Sequence, residues 1–254
     1  MNKLHRRGFL KVSSLYAGVL FGINLFGTQA LAGDSQGLGK AQLKVAVLSA
    51  SGRAGKLITQ EALAKGLSVT AFVRDSKKLA DISNANLKVV QKDTFSLTAS
   101  DLSGFDIIID AFGEWQNLEL HKKHLEHLAS VLKGNNAKFL IVGGAGSLYM
   151  DKSHTTQLID TPSFPDEFKP LASAQAEGLE FLRTGAITNW VHVSPPADFV
   201  FDAPKSGKYK IIGEEFEVNA KGESKGSYAD YAAAMIEIAL DPKYNKERVG
   251  VIGL

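Results

Sequence analysis

The sequence predicts an α/β fold, one doubly wound and mostly parallel sheet in a single domain, and three observations carry that prediction. From Leu43 onward, short β-branched runs alternate with helical patterns. The runs are apolar almost without interruption, as strands covered on both faces must be. The first of them passes straight into a loop of small residues, Ser49-Ala50-Ser51-Gly52-Arg53-Ala54-Gly55, and then into a helix. A chain of 254 residues is enough for one large core.

Taken in order, residues 1–32 read as an address rather than as part of the fold. His5-Arg6-Arg7-Gly8-Phe9-Leu10-Lys11 is a charged opening, and the apolar stretch Val12 to Phe26 is diluted by glycine and serine. That stretch is too short and too weakly apolar for a stable membrane span. Ala30-Leu31-Ala32 supplies the small residues a signal peptidase accepts, so cleavage is expected after Ala32. The Arg-Arg, spacer, Phe-Leu-Lys pattern resembles a bacterial twin-arginine signal, which implies export of the folded protein by the twin-arginine machinery to the periplasm. The rival reading is an uncleaved N-terminal anchor.

Four of the 29 basic side chains lie in this leader, which leaves 25 against 27 acidic ones and a formal charge of −2 for the body. The body therefore has no electrostatic footprint for nucleic acid. The chain has no cysteine, which excludes disulfides, thiolate metal sites and a lipoprotein anchor.

Residues 33–42 are expected to form a flexible lead, and the domain proper is expected over 43–254. Strands are expected at Leu43–Leu48, Ser68–Val73, Leu87–Gln91, Asp106–Ala111, Lys138–Val142, Asn189–Val193 and Arg248–Ile252. Helices are expected at Lys56–Lys65, Leu118–Leu132, Glu167–Leu182 and Tyr228–Leu240, with Gly66 and Gly134 placed as C-terminal caps. The proline-punctuated stretch Asp151–Pro165 reads as a loop near the site.

A strand, a loop of small residues and a helix N-terminus make a Rossmann-type phosphate cradle, since small side chains admit a pyrophosphate and the first-turn amides attract it. Ser49, Ser51, Gly52, Arg53, Ala54 and Gly55 are the expected cofactor contacts, Ser49 replacing the usual first glycine. Arg74 ends the second strand where an acid normally grips the ribose of NAD, and with Arg53 it suits a 2′-phosphate. NADP is therefore expected over NAD; the alternative is a solvated Arg74 paired with Asp75. Further contacts are expected from Asp93 to the adenine, and from Ala111, Phe112, Gly113, Gly143, Gly144, Ala145 and Pro195 at strand ends.

The Ser-Ala-Ser-Gly-Arg-Ala-Gly loop, Val142-Gly143-Gly144-Ala145-Gly146-Ser147-Leu148, Asn189-Trp190 leading to Ser194-Pro195-Pro196-Ala197, and Asp230-Tyr231-Ala232 together resemble the atypical short-chain dehydrogenase/reductase superfamily. Within it the chain is similar to the NAD(P)-binding group labelled NADH-flavin reductases, over nearly all of 43–254. The resemblance implies hydride transfer to a flavin, a quinone or a similar small acceptor, with Ser147 at the catalytic-serine position. The Tyr-x-x-x-Lys pair of standard members occurs nowhere in the chain, and Gln175 stands where related proteins often keep a lysine. Ring acceptors that take their proton from solvent suit such a site better than carbonyls. Two other readings stay open, a non-catalytic NADP-sensing module and a nucleotide-sugar-type epimerase or isomerase.

Trp115, His121, Tyr149 and Phe199 are the candidate substrate pocket, with Phe112, Trp115, Tyr149 and Phe199 as its apolar wall. His121, His124 and His127 fan around their helix too widely for a metal site, so no metal is expected, and His121 alone is placed on the apolar stripe. Asp110, inside an apolar strand, is expected to be a buried charge with a local partner.

Overall fold

The computed structural model describes residues 42–254, so the leader and nearly all of the 33–42 lead lie outside the described residues. The main sheet takes β1 (Lys44–Leu48), β2 (Ser68–Val73), β3 (Leu87–Gln91), β4 (Ile107–Asp110), β5 (Lys138–Val142) and β6 (Trp190–Ser194). A two-stranded pairing joins β7 (Asp198–Val200) to β9 (Lys225–Ser227), while β8 (Tyr209–Ile212) and β10 (Glu247–Gly253) complete the main sheet. The spatial order is β3-β2-β1-β4-β5-β6-β10-β8. All neighbours are parallel except β8, which runs antiparallel to β10 at the edge. The order reverses between β1 and β4, where open α/β sheets bind ligands.

The helices are α1 (Arg53–Ala64), α2 (Leu120–Val131), α3 (Lys169–Arg183) and α4 (Tyr228–Leu240). Strand alternation divides the core into two layers. Val45, Val47, Ile107, Ile109, Val191 and Val193 pack against α1 and α4. Ala46, Leu48, Ile108, Phe139 and Trp190 pack against α2 and α3.

Three departures from the sequence reading have local causes. Helix α1 starts at Arg53 rather than Lys56, because Gly52 takes the N-cap position inside the loop. Residues Asp166–Phe168 form a 3-10 turn, so α3 starts at Lys169, followed by a proline that fits a first helical turn. Strands β7, β8 and β9 were not expected; they are three or four residues long, and β7 and β9 pair only with each other.

Candidate functional site

The loop from β1 to α1 is held by backbone bonds from Gly52 N to Ser49 O (3.0 Å) and from Ala50 N to Phe72 O (3.1 Å). Ser49 adopts a left-handed φ of +53°. Gly55 is demanded by contact, since a Cβ there would lie 2.5 Å from Ser49 O and 2.9 Å from Ala50 Cα. Gly52 opens α1 with no side-chain cap, and no acid stands in the first turn. The first-turn amides of Arg53, Ala54 and Gly55 have no intrahelical acceptor, which leaves them available to an anion.

The exposed Arg74 follows β2 and makes no hydrogen bond or ion pair among the described residues. No Arg74–Asp75 ion pair is present among the described residues; Asp75 Oδ1 accepts from Lys77 N (3.0 Å). The Arg53 guanidinium lies 5.1 Å from the centre of the Phe201 ring, so the stretch after β7 borders the phosphate loop. Asp93 accepts a hydrogen bond from Phe95 N (2.8 Å), which commits one of its oxygens to capping a turn.

At the end of β4 the structure builds a cluster the sequence only hinted at. Asp110 is fully buried, and both its carboxylate oxygens lie 3.1 Å from Nε2 of His124, itself 1 % exposed. Phe112 stacks on His124 with ring centres 4.3 Å apart and meets His121 edge-on at 5.6 Å. His121 bonds the Glu114 carbonyl through Nε2 (2.9 Å). The apolar stripe of α2 thus carries His124 as well as His121, and the expectation that His121 alone lies on it is corrected. His127 stacks on Phe95 instead, so the three histidines do not converge.

At the end of β5, Gly143 and Gly144 make room for neighbours. A Cβ on Gly143 would fall 2.0 Å from the His192 ring, and one on Gly144 would fall 2.1 Å from Gln175 Oε1. Ser147 is buried, and its carbonyl accepts from Arg248 (3.1 Å). Residues 151–165 fold back onto this strand end through Leu158 N to Leu148 O (2.8 Å) and Ile159 N to Gly146 O (2.9 Å). His192 is fully buried, and its pKa is pushed down to about 3, first by desolvation and then by the Arg248 and Arg183 charges. Tyr231 serves the frame, its buried hydroxyl donating to Val193 O (2.7 Å).

The four residues expected to form one substrate wall are not brought together. Trp115 is 68 % exposed. Tyr149 stacks on His154 (4.3 Å), whereas Phe199 stacks on Tyr228 (3.5 Å) and packs on the α1/α4 side. Only His121 and Phe112 share a cavity, with Asp110, His124, Gln175 and His192. Sequence reasoning missed His124 and His192 as site residues; the available signal was one ionisable position inside the apolar strand β6 and one on the apolar stripe of α2.

A parallel sheet with its order reversal beside an uncapped helix N-terminus, a Cβ-intolerant glycine and an unpaired arginine at the next strand end define a dinucleotide-binding Rossmann-type domain. The family described as NAD(P)H-binding matches residues 49–242. The chain belongs to that family. It is 40 % identical over 212 residues to the uncharacterised protein YwnB of Bacillus subtilis (strain 168), covering 83 % of this chain and 98 % of that protein. Among solved structures it is similar to a putative NADH-flavin reductase of Streptococcus pneumoniae TIGR4, with 45 % identity, a TM-score of 0.78, and coverage of 84 % of this chain and 100 % of that one. A putative exported protein of Burkholderia pseudomallei is 27 % identical with a TM-score of 0.73, over 83 % of this chain and 100 % of that one.

Proposed function

We propose that the protein is an NADPH-dependent oxidoreductase that reduces a small planar acceptor, a flavin or a quinone, and that it is exported folded through the twin-arginine route to the periplasm. The observation that carries the reductase reading is the make-up of the crevice. A phosphate cradle opens beside a ring-lined strand end at Phe112, His121 and His124, and no Tyr-x-x-x-Lys pair is available for carbonyl chemistry. The 45 % identity to a protein named as a putative NADH-flavin reductase supports the same class of acceptor.

In this reading the amides of Arg53, Ala54 and Gly55 bind the pyrophosphate, and Arg74 with Arg53 binds the 2′-phosphate. Arg74 is exposed and makes no hydrogen bond or ion pair among the described residues, which leaves it available for that role. Gly113 borders open space, where an added Cβ would meet nothing within 4 Å, and so leaves room at the end of β4. The bound dinucleotide supplies a hydride; the chain orients the two rings against each other. In this reading Ser147, which follows the glycine-rich end of β5, orients the acceptor.

Export is supported by the Arg6-Arg7 motif and the Ala30-Leu31-Ala32 site, and by the name of the Burkholderia pseudomallei relative. A protein that crosses the membrane folded carries its cofactor with it.

The test is NADPH and NADH oxidation by purified protein with FMN, FAD and a soluble naphthoquinone, alongside dinucleotide titrations. Turnover with at least one acceptor and tighter binding of NADPH than NADH are expected. Tight NADPH binding with no turnover on any of the three sinks the reductase reading and leaves a sensing module.

A further inference from the structure

A small cavity of about 20 Å³ lies between the ends of β4–β6 and helices α2 and α3, lined in part by Asp110, His121, His124, Gln175 and His192. A single water needs roughly 10–15 Å³ of such space and two to four polar partners. Two buried nitrogens supply them. Nδ1 of His124 and Nδ1 of His192 have no hydrogen-bond partner among the described residues, and both rings line this cavity. A buried nitrogen left unpaired costs about 1–3 kcal/mol, and one water between the rings satisfies both.

The arrangement around the two rings is asymmetric. In the sheet register Asp110 lies beside Ile141, Ile141 beside His192 and His192 beside Arg248, so these side chains form one row on the α2/α3 face. Asp110 takes Nε2 of His124 with both oxygens, which places a proton on Nε2 and leaves Nδ1 as the unpaired nitrogen of a ring that lines the cavity. At the other end, burial and the Arg248 and Arg183 charges hold His192 neutral, so His192 orients a water while His124 is the ring paired with a carboxylate. His121, one turn earlier on α2, has Nε2 tied to the Glu114 carbonyl, and Gln175 of α3 contributes a neutral amide. The His192 ring reaches the end of β5, directly under Gly143.

We propose that this cavity is a hydrated proton-relay site, one water bound between Nδ1 of His124 and Nδ1 of His192, through which His124, positioned by Asp110, supplies the proton of the reduction. The proton step rests on the reductase reading; the hydrated site does not. The acceptor gains a hydride from the reduced dinucleotide, which leaves oxidised. The electron pair this places on an acceptor oxygen or ring nitrogen takes a proton from the water as that O–H bond breaks. The water regains a proton from Nδ1 of His124, whose Nε2 stays paired with Asp110, and a proton taken up from solvent restores the ring before the next turnover.

Two measurements test it. In the first, His124→Gln and Asp110→Asn are assayed with NADPH and a soluble naphthoquinone. His124→Gln is expected to lose kcat by about 100-fold or more, the lower range of general acid catalysis, with NADPH affinity kept. Asp110→Asn is expected to lose part of kcat and to shift the pH at which kcat falls, because the His124 ring loses its counter-charge; a purely structural pair would lower thermal stability without moving that limb. His124→Gln with kcat within two-fold of wild type and an unchanged pH profile overturns the relay. In the second, wild-type protein with labelled imidazoles is examined by NMR for contacts between a long-lived water and both His124 and His192. Absence of that water overturns the hydrated site, even if the variants misfold. A wild type that turns over no acceptor defeats the reductase reading instead, and the water contacts then judge the site alone.

Discussion

Ser49→Gly is expected to stabilise the protein, against the general trend for replacing a residue by glycine. Ser49 sits at a φ of +53°, where a Cβ crowds the backbone and costs about 1–2 kcal/mol. Glycine removes that cost but adds freedom to the unfolded chain worth about 0.4–1 kcal/mol. The turn does not relax when Ser49 is replaced, because Gly52 N remains bonded to the carbonyl of position 49 (3.0 Å) and Ala50 N to Phe72 O (3.1 Å). The difference is a net gain of roughly 0.5–1 kcal/mol. In a domain of this size that amounts to a rise in Tm of about 1–4 °C. Thermal scans and urea titrations run in parallel measure it, with an unchanged urea slope showing that the unfolded state is comparable. Ser49→Val provides the opposite perturbation, since a β-branched residue is worst at positive φ, and is expected to lower Tm. A Ser49→Gly protein less stable than wild type, or a Ser49→Val protein equal to it, refutes the strain argument.

Further outcomes follow from the same structure. Arg74→Ala is expected to weaken NADPH binding by about 10- to 100-fold, the range of a charge-assisted contact, while NADH binding changes little; titration of both dinucleotides reads the difference. Gly55→Ala is expected to lose about 1–3 kcal/mol of stability and most dinucleotide affinity, because its Cβ would meet backbone at 2.5 and 2.9 Å, whereas Gly52→Ala meets Ser49 O at 3.3 Å and is milder. His192 resists protonation until about pH 3 when folded and accepts a proton near 6.5 when unfolded, so the unfolded chain binds more protons between those values. Stability therefore falls as pH drops from about 6.5 toward 3, by up to the order of 4 kcal/mol, and His192→Gln flattens that part of the urea-midpoint profile. Arg6→Lys with Arg7→Lys is expected to retain the protein in the cytoplasm, as read by cell fractionation.

The parallel strands were legible because most of them are nearly pure apolar runs, and the phosphate loop because its chemistry is local, seven consecutive residues between a strand and a helix. Strands β7, β8 and β9 escaped for the converse reason. Asp198-Phe199-Val200 and Lys225-Gly226-Ser227 are three-residue runs too short to show a period, and their pairing is fixed by the β6–α4 connection rather than by pattern. The aromatic wall failed because residues at the ends of different strands were assumed to face one crevice. Phe199 belongs to a segment that turns toward the α1/α4 side, and Tyr149 is held at a corner by bridges to Gln157 and Glu215.

The buried histidines were within reach of the sequence by a longer argument. An aspartate inside an apolar strand must find a partner, and the nearest structured element after β4 is α2. On α2 the stripe running through His121, Leu125 and Leu128 also includes His124, at the helical spacings of three and four. In β6 the same reasoning selects His192, the one ionisable residue between Trp190 and Ser194. What periodicity lacks is the register between strands. Asp110 and His192 share a row only because both align with Ile141. Pairing of β4 with β5 and of β5 with β6 is a consequence of the winding order, so the topology, once predicted, was the missing step from three isolated polar residues to one cavity.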